Sequence, residues 1–66
     1  MKKLRLYRLM SGKTQKQIAE KVGCTQALIS MFESGRLIPG NKLRKALARA
    51  LNKTEDEIFP KEHLNE

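Results

Sequence analysis

An all-α fold of five short helices is what this 66-residue sequence predicts, on three observations. Apolar residues recur at spacings of three and four, the period of a helix face, and no stretch alternates with the period of two that a strand needs. Threonine or asparagine stands ahead of several apolar stripes, where a helix start is capped, and glycine stands just past three of them, where a helix ends. Prolines fall only at positions 39 and 60, so they mark breaks and never interrupt a stripe.

The first helix is predicted over residues 2–11. Leu4, Tyr7, Arg8 and Ser11 share one stripe, and Gly12 ends it. Thr14 is the N-cap of the second helix, and Gln17, three residues on, completes a capping box. Ile18, Ala19 and Val22 form its inner face, with Ala19 small enough for two steeply crossing helices to approach. Gly23 closes the helix with a positive φ. Thr25 caps the third helix without a reciprocal partner, because Leu28 stands where Glu or Gln would be. Ile29 and Phe32 point inward, and Ser34-Gly35 ends this helix. Residues 36–40, RLIPG, form a loop that Pro39 keeps non-helical.

Asn41 is the expected cap of a fourth helix, whose stripe is Leu43, Leu47, Ala48, Ala50 and Leu51, with Asn52 just past its end. Thr54 caps a fifth, and Glu57 supplies a second capping box. Glu55, Asp56 and Glu57 suit the positive end of that helix dipole. Ile58 and Phe59 fold back on the core. Pro60 stops the helix, and residues 61–66 form a frayed acidic tail outside a single domain of residues 1–60.

Composition bounds the chemistry. A core of this size is marginal, so the chain needs efficient packing, a partner subunit or both. The single cysteine, Cys24, rules out an intrachain disulfide and a cysteine-based zinc site, and is expected to act as a small buried apolar residue. No apolar run approaches the ~18 residues that cross a membrane. The expectation is a soluble cytoplasmic protein. Residues 1–53 hold 13 of the 14 Lys and Arg against Glu20 and Glu33, a net +11. Residues 54–66 hold Lys61 against five acids, a net −4. A basic body with an acidic end fits a polyanion-binding face. His63 has no second ligand at metal spacing, and no nucleophile, base or phosphate-loop constellation is present. Neither a metal, a cofactor nor catalysis is expected.

Thr14–Gly35 carries the most information. Two short helices flank a tight glycine-bearing turn, and each opens on a glutamine, Gln15 and Gln26. A helix-turn-helix DNA reader needs that arrangement: one helix crosses the phosphate backbone and the next presents its first side chains to base edges. Gln26 can pair bidentately with adenine, Ala27 can pack a thymine methyl, and Ser30 and Met31 lie one turn later near the same face. Gln15, at a helix start, suits a phosphate. Lys13 and Lys16 flank it, Thr25 opens the reading helix, Arg36 follows that helix, and Asn41 and Lys42 open the fourth. These are the candidate phosphate contacts. The reading helix has no Lys or Arg from Thr25 to Ser34, so much of the affinity is expected from phosphates and to fall steeply with salt.

The ordered set Arg8, Gly12, Thr14-Gln15, Ile18-Ala19-Glu20-Lys21-Val22-Gly23, Gln26, Ile29-Ser30, Glu33, Gly35, Pro39, Leu43, Ala48, Leu51 and Glu57-Ile58-Phe59 resembles the Cro/C1-type (XRE, lambda-repressor-like) helix-turn-helix family of bacterial and phage regulators. The resemblance spans about residues 4–59 without a gap. It implies an all-α DNA-binding domain that acts as a symmetric dimer on a two-fold operator, here as a repressor. It also implies a partly buried ion pair between Arg8 and Glu33. Lys13 and Lys53 replace apolar residues usual in that pattern, and Met31 replaces a polar one.

A homodimer contact is expected through the end of the fourth helix, the fifth helix and the tail, with Leu51, Ile58, Phe59 and Leu64 as its residues. Leu6, Leu9, Met10, Leu37, Ile38 and Leu64 exceed what one small core needs. They keep open an alternative in which the chain is an antitoxin-like or anti-repressor-like module whose main partner is another protein.

Overall fold

A computed structural model describes residues 1–60. Five helices follow in order: α1 (Lys2–Met10), α2 (Gln15–Val22), α3 (Gln26–Ser34), α4 (Asn41–Ala50) and α5 (Glu55–Ile58). No strand occurs among the described residues. The frayed tail expected at residues 61–66 lies outside them, as does Leu64.

The helix starts follow local chemistry. The Thr14 hydroxyl accepts from the Gln17 amide at 3.0 Å, and the Gln17 side chain accepts from the Thr14 amide at 2.8 Å. Thr54 and Glu57 repeat this reciprocal pair at 3.2 and 3.0 Å. Thr25 accepts from Leu28 alone. The fourth start differs from expectation. Gly40 is the N-cap, and no side chain caps this end. Asn41 is already helical, and its side-chain oxygen accepts from Arg44 one turn on, so a nearby guanidinium has taken the atom that would have capped the helix.

The ends of α1 to α4 share one device, a residue of positive φ just past the helix. Gly23, at φ 80°, turns the chain so that the amides of Gly23 and Cys24 both reach the Ala19 carbonyl at 2.9 Å. Asn52, at φ 57°, does the same work after α4, where the Lys53 amide reaches the Ala48 carbonyl at 2.9 Å. Asparagine tolerates this left-handed conformation better than other side chains.

α2 sits at the centre, packed on both α3 and α4, while α1 packs on α3 and α5 and α4 packs on α5. Ile18, Ile29 and Leu47 are fully buried where these helices meet, with Leu4, Phe32, Ile58 and Phe59 around them. Each such side chain contributes about 1.5–3 kcal/mol. Ala19 lets α2 approach its neighbours and is also buried. Ser11 leaves the predicted inner stripe: it is exposed at the end of α1, and its hydroxyl donates to the Arg8 carbonyl at 2.7 Å. Met1 joins the core, and its amino nitrogen donates to the carbonyls of Phe32 at 3.2 Å and Glu33 at 2.8 Å, at the C-terminal end of α3.

Leu51, Ile58 and Phe59 require a correction. They are 5, 1 and 2 % exposed within this one chain. Their side chains close the core beneath α4 and α5, so the fold of one chain already buries nearly all of the apolar area assigned to a dimer contact. Lys53, which stands where an apolar residue was the pattern, places its ammonium 5.1 Å from the centre of the Tyr7 ring. The aliphatic stem with a cation over an aromatic face replaces simple apolar packing. No helix among the described residues is long and apolar enough to cross a membrane.

Candidate nucleic-acid interface

α3 presents Gln26, Ala27 and Ser30 to solvent, and Met31 is half-buried beside them. The opposite side of the same helix sends Ile29 and Phe32 into the core. The outward residues are therefore held by an anchored helix and are not consumed by packing. Thr25, at its start, is exposed, and its hydroxyl is engaged by the Leu28 amide.

A buried polar network fixes this helix against α1 and α2. Arg8 Nε donates to Glu33 Oε2 at 2.6 Å, and Arg8 Nη2 donates to Glu33 Oε1 at 3.1 Å. Two parallel bonds make the pair bidentate, the strong geometry for a guanidinium and a carboxylate. The two side chains are 10 and 4 % exposed. Arg8 Nη1 donates to the Lys13 carbonyl at 2.9 Å, which ties down the turn between α1 and α2. Gln15 Nε2 donates to Glu33 Oε1 at 3.0 Å. Gln15, a candidate phosphate contact, is thus oriented by the same carboxylate that anchors the end of α3.

Sequence reasoning placed Gln15 as an independent side chain and missed this link. No local pattern could have revealed it, because the two residues are 18 apart. Lys13 is half-buried beside the network, and Lys16 is exposed on the first turn of α2. Arg36 follows α3 and is exposed, as are Asn41 and Lys42 at the start of α4. The backbone amides that open α4 have no side-chain cap. They remain free for an anion, which the helix dipole favours.

Cys24 is half-buried at the turn between α2 and α3, against the core. Burial pushes its thiol pKa up, which disfavours the reactive thiolate at neutral pH. No group of three or more potential metal-ligating side chains occurs among the described residues.

An anchored helix with free polar side chains at its start, preceded by a capped helix and a left-handed glycine turn, can be compared with known families. A family model described as helix-turn-helix matches residues 4–58. The chain belongs to the Cro/C1-type helix-turn-helix family. An HTH-type transcriptional regulator of Methanothermobacter thermautotrophicus is 39% identical over 57 residues, covering 85% of this chain and 83% of that protein. One of Archaeoglobus fulgidus is 32% identical over 57 residues, covering 86% and 81%. No solved structure matches the chain. A DNA-binding regulator of the helix-turn-helix kind is what the family and these relatives together support.

Proposed function

We propose that this helix-turn-helix chain binds double-stranded DNA sequence-specifically, as a dimeric repressor on a palindromic operator. The observation that carries the reading is the state of α3: its inner face is buried, its end is clamped by Arg8 and Glu33, and Gln26, Ala27 and Ser30 are exposed near its start. In this reading α3 lies in the major groove. Gln26 pairs with an adenine edge, and Ala27, Ser30 and Met31 contact neighbouring bases. Gln15, Lys13, Lys16, Thr25, Arg36, Asn41 and Lys42 hold phosphates around it. The Glu33–Gln15 bond links the two kinds of contact, since one carboxylate sets both the phosphate-binding amide and the reading helix.

A dimer places its two reading helices about one helical turn, ~34 Å, apart. With Leu51, Ile58 and Phe59 mostly buried in the core, Leu37 and Ile38, 43 and 49 % exposed in the loop before α4, are an apolar pair available for contact between copies. The test is selection from a randomised duplex pool, followed by salt-dependent binding to the enriched site. The expected result is a palindrome with half-sites one turn apart. Gln26→Ala should weaken that complex by about 1–3 kcal/mol and relax preference at one base pair per half-site. Enrichment of no sequence, or a Gln26→Ala variant with unchanged specificity at every salt concentration, would overturn it.

The protein-partner alternative has an observation of its own. Leu6, Leu9 and Met10 are 51, 54 and 69 % exposed on α1, and the DNA reading gives them nothing to do.

A further inference from the structure

Leu6, Leu9 and Met10 are spaced i, i+3 and i+4, so they fall on one side of α1, opposite the buried Leu4 and Arg8. Leaving three large apolar side chains half or more exposed on a nine-residue helix costs solubility, and such stripes mark sites of association.

The surface is shaped as well as apolar. At the N-terminal end of α1 a recess of about 190 Å³ is lined by Lys2, Lys3, Ile58 and Pro60. At the other end a recess of about 240 Å³ adjoins Met10, floored by Leu51 and bordered by Tyr7 and Lys53.

Its charge has one sign along α1. Residues 1–19 contain no acid, and Lys2, Lys3 and Arg5 are exposed around the stripe. Lys53 borders the recess at the far end. A second copy docking through the same face would bring these cations together. DNA would match the charge but would leave the stripe in water. The complement is an apolar stripe of helical spacing bordered by carboxylates.

We propose that the outward face of α1 is a docking surface for an acidic amphipathic helix of a partner protein. The partner's apolar stripe lies along Leu6, Leu9 and Met10 and enters the two recesses, while its flanking carboxylates meet Lys2, Lys3, Arg5 and Lys53. This is the helix-in-groove mode of recognition. It uses no residue of the DNA-reading face, so the docked protein keeps Gln26 and Gln15 free. The proposal stands whether or not the operator reading does.

The test titrates the full, isotope-labelled chain with a synthetic helical peptide carrying leucines at i, i+3, i+4 and i+7 with glutamates on both flanks. A twin peptide with lysines in place of the glutamates is the control. The expected result is saturable amide shifts confined to α1 and the Leu51–Lys53 turn, with the lysine twin binding at least about tenfold more weakly. Leu6→Ser/Leu9→Ser in the protein should weaken the acidic peptide by about tenfold or more and leave DNA binding unchanged. Because the peptide pair probes charge without altering the protein, the conclusion does not depend on the variant folding.

Absence of saturation by about 1 mM peptide would overturn the proposal. So would equal binding of both peptides, or shifts centred on α3. Concentration-dependent α1 shifts without peptide would assign the face to a second copy. α1 shifts caused by Leu64→Ser alone would assign it to the chain's own last residues. Binding to phosphatidylglycerol vesicles but not to the acidic peptide would assign it to an anionic lipid surface. Each of these three results also overturns the proposal.

Discussion

Replacing Glu33 by alanine tests the coupling of stability to the reading helix most directly. The carboxylate accepts two bonds from Arg8 and one from Gln15, and its side chain is 4 % exposed. Removing it strands the Arg8 guanidinium, itself 10 % exposed, with only the Lys13 carbonyl as partner. An uncompensated buried charge costs about 3–5 kcal/mol. A 66-residue domain has roughly 3–10 kcal/mol of total stability, so Glu33→Ala removes a third or more of it. At about 4–8 °C per kcal/mol, the midpoint falls by on the order of 20 °C. Replacing both residues, as Arg8→Met/Glu33→Leu, removes the charges together. What remains lost is the bond to Gln15 and the bond to the Lys13 carbonyl, about 1 kcal/mol each. The double variant should therefore return to within about 2 kcal/mol of the parent. Urea unfolding followed by circular dichroism measures the parent, Arg8→Met, Glu33→Leu and the double variant as the four corners of a cycle, with Glu33→Ala beside them, provided the slope with denaturant is unchanged. A cost below about 1 kcal/mol for Glu33→Ala, as for an exposed pair, would refute the reasoning. So would a double variant less stable than the worse single one.

Three further outcomes follow from particular residues. Gly23→Ala places a Cβ with no atom within 4 Å, so only the strain of φ 80° opposes it. It should cost about 1–2 kcal/mol in unfolding experiments, and a neutral result would mean the turn readily adopts another conformation. Hydrogen bonds from the Thr54 amide and hydroxyl, first the backbone one, hold the Glu57 carboxyl below its ordinary 4.5. Its folded pKa is therefore the lower one, so its stabilisation is present above pH 4.5 and is lost as pH falls through the depressed value. Glu57→Gln, which removes the titrating group, should flatten the acid limb of the stability profile in that range, and an unchanged limb would remove Glu57 from the account. The Cys24 thiol, raised by burial above its ordinary 9.0, should react with iodoacetamide more slowly than a free cysteine at neutral pH and reach half its maximal rate above pH 9.0. Reaction as fast as free thiol would show that the turn opens readily.

Much of this architecture was readable from short-range chemistry. The Thr14–Gln17 and Thr54–Glu57 boxes span three residues, and so do the stripes that bury Ile18, Ile29, Phe32 and Leu47. Such features depend on backbone geometry that the residues themselves dictate. The start of α4 was misread because Asn41 had a competitor: Arg44, one turn on, takes its side-chain oxygen, and Gly40 becomes the cap. Leu51, Ile58 and Phe59 were placed both on the core side of their helices and at a dimer contact, since a core within one chain and a core between two ask for the same residue types. Only the packing of α1 and α4 against α5 distinguishes them.

The candidate interface divides along the same line. Gln15 and Gln26 at the starts of α2 and α3, the glycine between them, the cationic surroundings and the five-helix class were all determined by the sequence, because capping, handedness and periodicity act over three to five residues. The tertiary structure alone decided that Glu33 is shared by Arg8 and Gln15, that the Met1 nitrogen meets the end of α3, and that no helix among the described residues covers the outer stripe of α1. Those contacts join residues 18 to 32 positions apart. Their existence depends on how helices cross, which is set by the summed packing of the whole core and by no local run of residues.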